Sequence, residues 1–311
     1  MKIASLILVF FSISLSSFAQ HTFSIVAVDS VTGEIGSAGA TCISAEDGAL
    51  AISDIVLGVG AVHTQAWWVP TNQNNARTRM EVGDSPQQII DWLVTNDSGN
   101  NPNLRQYGVV DLNNGTPRSA AYTGTSTDDV KLHVTGPNYS IQGNILISAD
   151  VINDMETAFL NTNGTLADKL MAALQGAKRP GADSRCLDFG ISSASAFLRV
   201  ADPSDTDSSY GNLSLDLNVW INGTVFEPID ALQDAYDNFL SINDQGLTKN
   251  KIVIAPNPAT NEVTIRSTTQ MITGFELVDI SGKIILQRNI ASPQNNIYFE
   301  VATYPKGLYF I

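Results

Sequence analysis

The sequence predicts an α+β protein in which two stacked, mainly antiparallel sheets carry helices on both outer faces, followed by a small C-terminal β-sandwich domain. Three observations predict this. Strand pairs alternate with helix pairs over residues 22–241, which suits neither a doubly wound parallel sheet nor an all-β barrel. Apolar content then falls from Ser241 to Lys251, marking a linker over residues 242–250. Beyond it, residues 251–311 hold short alternating stretches separated by turn signals such as Ser281-Gly282. With 311 residues and 43% hydrophobic content, the chain can bury a sizeable core in the larger domain.

At the start of the chain, Lys2 precedes the apolar run Ile3 to Phe11, a serine-rich stretch and then Ser17-Phe18-Ala19, with small residues where a signal peptidase reads. Residues 1–19 therefore read as a secretory signal, too short to stay as an anchor and with no second hydrophobic span behind it. The mature chain is expected to be exported and soluble. Its net charge of −14, one unit more negative once Lys2 leaves, repels phosphate backbones and anionic lipid, so nucleic acid and membrane are poor partners.

Thr22 to Asp29 alternates as a strand and is followed, across the turn Val31-Thr32-Gly33-Glu34, by a second strand over residues 35–43. The small residues GSAGAT in the second strand predict close packing against a neighbour. Ala49 to Trp68 is too long and glycine-rich for one strand and reads as two, bent at Gly58 and Gly60. His63 stands where a dinucleotide loop would need its third glycine, which argues against a nucleotide site. A polar loop follows, then Asp84-Ser85-Pro86 caps a helix to about Val94. RQYGVVDL and RSAAYTG flank an Asn113-Asn114-Gly115 hairpin turn. Tyr139 to Ile147 is a strand interrupted by Gln142-Gly143-Asn144, and helices follow from Asp150 and Thr165. ISSASAFLRV and LSLDLNVWI are strands, and Pro228 to Leu240 is an acidic amphipathic helix.

Few chemistries suit these residues. His21, His63 and His133 are scattered without metal-ligand spacing, so no metal or cofactor is expected. GISSA around Ser193 lacks the second glycine of a nucleophile elbow. Cys42 and Cys186 are expected to pair in an exported protein, whereas Cys42 as a nucleophile needs a nearby base that the sequence does not show. Thr22 stands almost where the signal would be cut. A threonine that becomes the first residue can act as nucleophile with its own α-amine as base. The plainer reading makes Thr22 and Ser24 outward-facing strand residues, with Phe23, Ile25 and Ala27 inward. Thr64, Gln65, Gln142, Asn144, Asp183 and Arg185 are polar residues inside apolar strands or glycine-flanked loops. Buried, they must be satisfied by each other or by a ligand.

TFSIVAVD, GVGAVHTQAW, RQYGVVD, YSIQGN, GADSR and PIDALQDAYDNFL, in that order, resemble the bacterial family called domain of unknown function 1028, placed among the N-terminal nucleophile (Ntn) hydrolases. The resemblance covers about residues 22–241 and implies an αββα four-layer sandwich, with amide hydrolysis implied by fold membership alone. Cytosolic members of that family begin Met-Thr-Phe, so that methionine removal exposes the threonine matching Thr22. In this chain, cleavage after Ala19 leaves Gln20 and His21 ahead of Thr22. Either another cut exposes Thr22 or this member is not an N-terminal threonine enzyme. A Cys42–Cys186 bridge is consistent with an exported branch that staples the first strand pair to the GADSR loop.

IAPNPATNEVTI, FELVDISGKII and YPKGLYFI are similar to the type IX secretion (Por) C-terminal sorting domain of Bacteroidetes, over residues 251–311. That resemblance implies passage across the outer membrane by the type IX machinery and release or attachment at the surface. Such domains usually continue through a last strand and basic residues, so an end at Ile311 points to a fragment or a shortened signal.

The leading expectation is an exported Ntn-type hydrolase of a small amide or peptide-like bond. Thr22 is its nucleophile, Asn144 and Gln65 serve the oxyanion, Asp183 and Arg185 orient the nucleophile or bind a substrate carboxylate, and Thr64 and Gln142 contact substrate. The competing expectation is a non-catalytic surface module that uses the same residues to bind a sugar or peptide. No assembly state follows from the sequence, and a homo-oligomer is compatible with it.

Overall fold

The structure, a computed structural model, describes residues 19–20, 22–223, 226–247, 252–256, 259–267, 271–280 and 282–311. Of the expected signal only Ala19 is among them; the rest of that expectation lies outside the described residues. One compact unit runs to Tyr236 and a second begins at Asp237.

In chain order the first unit contains β1 (Ala19–Gln20), β2 (Thr22–Val28), β3 (Ile35–Thr41), β4 (Ser53–Val56) and β5 (Gly60–Trp67). Next come α1 (Pro70–Glu81), α2 (Pro86–Thr95), β6 (Arg105–Asn113), β7 (Thr116–Thr123), β8 (Leu132–Gly136) and β9 (Tyr139–Gly143). They are followed by α3 (Asp150–Asn161), α4 (Leu166–Ala177), β10 (Ser195–Ala201), β11 (Leu215–Trp220) and the first part of α5 (Pro228–Leu247), within which the division at Tyr236 falls. α5 continues past Leu240, so helix occupies much of the stretch expected to be linker.

Two antiparallel sheets result. One has the order β1-β5-β6-β7, with β4 also on β5; the other has the order β11-β10-β3-β2-β9-β8. Val26, Val28 and Ile35 of the second sheet pack against Ile55, Ala61 and Val110 of the first, so the two sheets face each other. On its other face the first sheet packs Val62, Tyr107 and Val109 against Ala76 and Met80 of α1 and Ile89 and Leu93 of α2. α4 lies on the second sheet. A Cβ placed on Gly36 would come 2.4 Å from Leu170 Cδ1, which is why β3 is built of small residues. On the inner face, a Cβ on Gly108 of β6 would come 1.9 Å from Gln142 Oε1.

Local chemistry accounts for most elements. The Ser85 hydroxyl accepts the Gln88 N–H while the Gln88 side chain accepts the Ser85 N–H, a reciprocal cap behind Pro86. Asn114 and Gly115 both have positive φ, 52° and 78°, as the tight hairpin turn requires. Two features differ from expectation. Residues 70–81, expected as polar loop, form α1, whose only buried side chains, Asn72, Ala76 and Met80, recur every four residues along one narrow stripe. And every residue of β2 is buried, so Thr22 and Ser24 do not face solvent: they point to the opposite sheet, while Phe23 and Ile25 point away from it.

In the second unit, β12 (Ile252–Ala255), β13 (Glu262–Ser267) and β16 (Asn296–Glu300) form one sheet, and β14 (Ile272–Asp279), β15 (Ile284–Gln294) and β17 (Tyr309–Phe310) form another. Val263, Ile265, Leu277, Ile297 and Phe299 make the core between them.

Candidate functional site

The space between the two large sheets is not purely apolar. Because β2 and β9 pair in register, Ser24 lies opposite Gln142, and both project toward β5 and β6. The Ser24 hydroxyl donates to Gln65 Oε1 at 2.6 Å and accepts from Gln142 Nε2 at 2.7 Å. Gln65 Nε2 donates to Gln106 Oε1 (2.7 Å) and to the Thr22 carbonyl (3.1 Å). Asn144 Nδ2 donates to the same Gln106 oxygen at 2.9 Å, and the Asn144 N–H donates to the Thr22 carbonyl at 3.2 Å. Gln106 Nε2 donates in turn to the carbonyls of Leu132 and Gly143 and to the Thr123 hydroxyl. Ser24, Gln65, Gln106, Gln142 and Asn144 are all fully buried. Burial without partners would cost each amide several kcal/mol, roughly 2–7, and their mutual bonding removes that cost.

Deeper between the sheets, His63 Nδ1 is 3.4 Å from Gln142 Nε2, and its Nε2 is 2.6 Å from the Ser37 hydroxyl. Ser37 meets Ser53, which accepts from Arg199, itself paired with Asp216. Burial, with a smaller push from the Arg199 charge, lowers the His63 pKa to about 3, so the ring is neutral and stays so across physiological pH.

The second group of predicted residues lies at the head of β2. Thr22 and Thr41 are register partners, so their side chains share a face. Arg185 Nη2 donates to Thr41 Oγ1 at 3.1 Å, and the same guanidinium forms a two-point pair with Asp183 at 2.6 and 3.0 Å. Asp183 Oδ2 also accepts the Cys42 N–H at 2.8 Å. Cys42 is bonded to Cys186, with Cα atoms 5.7 Å apart, and so fastens the Asp183–Arg185 turn to the end of β3. Thr22 and Asp183 are fully buried, whereas the Arg185 side chain is 30% exposed and is the wet member of the group. The disulfide, with Phe189, Ile191, Ala194 and Ile221, lines an apolar hollow of about 400 Å³.

Thr22, through its carbonyl, Gln65, Gln142 and Asn144 therefore belong to one hydrogen-bonded group, and Thr41, the register partner of Thr22, is bonded to Arg185 of the Asp183–Arg185 pair. Thr64 does not belong: it pairs with Tyr107 on the helix-covered face of β5, and its buried hydroxyl has no partner there. Gln106, Thr41 and Ser24 are members that sequence reasoning missed. Ser24 carried a signal, since it sits two residues from Thr22 and so on the same face of one strand. Among the described residues no group of three or more His, Cys, Asp or Glu side chains is placed to hold a metal ion, and no helix is long and apolar enough to cross a membrane.

Residues 22–219 match the model of a family of unknown function, DUF1028, and residues 253–311 match that of a secretion system C-terminal sorting domain. The tail thus marks the chain for export through the type IX machinery to the cell surface or the extracellular space. A crystal structure of a DUF1028 protein from Silicibacter pomeroyi is similar to this fold, with 27% identity and a TM-score of 0.56 over 70% of this chain and 88% of that one. No curated protein matches.

Proposed function

The chain belongs to the DUF1028 family, and on that premise we propose that it is a latent, exported hydrolase of a small amide or peptide-like bond, activated when proteolysis leaves Thr22 as the first residue. The order helices, sheet, sheet, helices supports an αββα Ntn-hydrolase-like sandwich for its larger unit. One observation carries the catalytic reading. Thr22 heads β2 at the point where the Gln65 amide, the Asn144 main-chain N–H and the Thr41–Arg185–Asp183 group converge, while Ala19–Gln20, just ahead of it, belong to the opposite sheet. The bond to be cut is the one that precedes Thr22, between residues that pair with β5 and the start of β2.

With its amine free, Thr22 takes both halves of the first step. The α-amine accepts the hydroxyl proton as Oγ bonds the substrate carbonyl carbon, and the same proton passes to the leaving amine as the C–N bond breaks. Water then cleaves the threonyl ester, which restores the hydroxyl and releases a carboxylic acid. Gln65 and Asn144, which hold the Thr22 carbonyl, would position the nucleophile, and the Arg185 guanidinium, the exposed member, would hold a substrate carboxylate.

N-terminal sequencing of the exported protein combined with an electrophilic probe for N-terminal threonine tests this. The expected result is a protein that begins at Thr22 and takes up one probe at that residue, with no uptake by Thr22→Ala. An active preparation that begins at Gln20 overturns it.

The mutual saturation of Gln65, Gln106 and Gln142 favours a second reading, in which the amides fix the two sheets and the molecule is a non-catalytic binding module. That reading expects ligand-induced stabilisation that survives Thr22→Ala and no turnover of any amide library.

A further inference from the structure

β5 has two edges. β6 takes one along Gly60 to Ala66. The other is covered by β4 only from Gly60 to His63, and beyond that by the two residues Ala19 and Gln20, in antiparallel register with Trp67 and Ala66. Removing the residues ahead of Thr22 therefore strips the partner from this end of β5 and leaves a strand edge beside the new N-terminus. An edge of this kind is a template for another extended chain.

The edge also has bonds of its own that do not involve residues 19–20. Ala66 has a left-handed φ of 70°, and the Trp68 N–H turns back onto its carbonyl at 2.9 Å. The Trp67 carbonyl accepts from Arg105, whose guanidinium is locked by Asp97 at 2.7 Å in a buried pair. Gln65, one residue before the edge, reaches the Thr22 carbonyl. A segment laid along Ala66–Trp67 is thus delivered to the head of β2.

We infer that this edge is a peptide-binding subsite: an extended peptide adds to β5 as an antiparallel strand in the place of residues 19–20, with its scissile carbonyl beside Thr22. The inference rests on the proposed role of Thr22, and it narrows the substrate from amides in general to peptides recognised through their main chain. It also makes the chain's own leader end the first occupant, so that the uncut protein excludes substrate from the subsite.

The test uses two forms, one beginning at Thr22 and the uncut chain beginning at Met1, with the fluorescently labelled pentapeptide of residues 17–21 as probe, read by anisotropy. The form beginning at Thr22 is expected to bind saturably, and the other about tenfold or more weaker, because its tethered residues compete at high effective concentration. The same peptide N-methylated at Ala19 and Gln20 is expected to lose binding by roughly tenfold, because strand addition depends on main-chain hydrogen bonds. Absence of saturable binding, equal binding by both forms, or equal binding of the methylated peptide would each overturn the inference. Electrophile labelling of Thr22 in the same samples separates this from the hydrolase reading: labelling that the peptide does not block leaves the hydrolase standing without the subsite, and peptide binding to a protein that is never labelled leaves the subsite without the hydrolase.

Discussion

Two buried polar clusters sit on opposite faces of the first sheet, and they are made differently. Under α1 and α2, Asp97 accepts from Arg105, from Asn72 and from the N–H groups of Gly99 and Asn101, and Asn72 also donates to the Tyr107 hydroxyl. Burial alone would raise the Asp97 pKa, but Arg105, the Asn101 N–H and Asn72 outweigh it and hold the carboxyl below the usual range. Between the sheets, by contrast, the groups bonded to the Thr22 carbonyl and to Ser24 are neutral amides and hydroxyls, and the charged pair Asp183–Arg185 meets them only through Thr41, the register partner of Thr22. A buried charge tolerates only its own partner, whereas a neutral amide can exchange one acceptor for another at small cost. The comparison teaches that charge is used where the fold needs a fixed clamp under the helices, and neutral groups where the two sheets meet.

The largest test of this contrast is Asp97→Ala. It strands the Arg105 guanidinium and is expected to cost about 3–5 kcal/mol in urea denaturation. Removing the bridge by Cys42→Ser with Cys186→Ser is next. It frees a loop of 144 residues and is expected to cost roughly 2–5 kcal/mol, together with the capacity to hold Arg185 at Thr41. Gln65→Leu, in the neutral cluster, leaves the Thr22 carbonyl and Gln106 each one donor short and is expected to cost about 1–3 kcal/mol. If it costs as much as Asp97→Ala, the distinction between clamp and exchangeable group fails.

His63 sharpens the comparison by pH. Its folded pKa of about 3 lies below the ordinary 6.5, so below pH 6.5 the unfolded chain takes a proton that the folded chain refuses. Stability is full above that value and is expected to fall as pH drops toward 3, by about 1.4 kcal/mol per unit in mid-window. Thermal melts of His63→Asn should lack this component. The smallest effect is on the surface: Ser85→Ala removes the cap of α2 and is expected to cost about 1 kcal/mol without changing probe uptake at Thr22.

The same residues show what a sequence can carry. Hairpins, caps and amphipathic helices were legible because each is written in a few adjacent residues, as at Asn114-Gly115 and Ser85-Pro86. α1 was hidden because PTNQNNARTRME buries so narrow a stripe that it reads as polar loop. β8 was hidden because its pattern alternates around half-buried residues with no strong apolar face. Within the site, Gln65, Gln142 and Asn144 stood out as amides interrupting apolar strands. Gln106 did not, because it follows Arg105 at a strand start, where polar residues are ordinary. Thr64 looked equivalent to Gln65, but strand alternation sends neighbours to opposite faces, and which face looks across to the other sheet is a tertiary fact.

The bare backbone at Gly108 gives Gln142 the room its carboxamide occupies. A side chain at 108 would push that carboxamide off its bonds to Ser24 and Ser140, so the two positions are coupled. Homologues carrying a bulkier residue at 108 should therefore lack glutamine at the place of 142, and with it the bridge from Ser24 to His63.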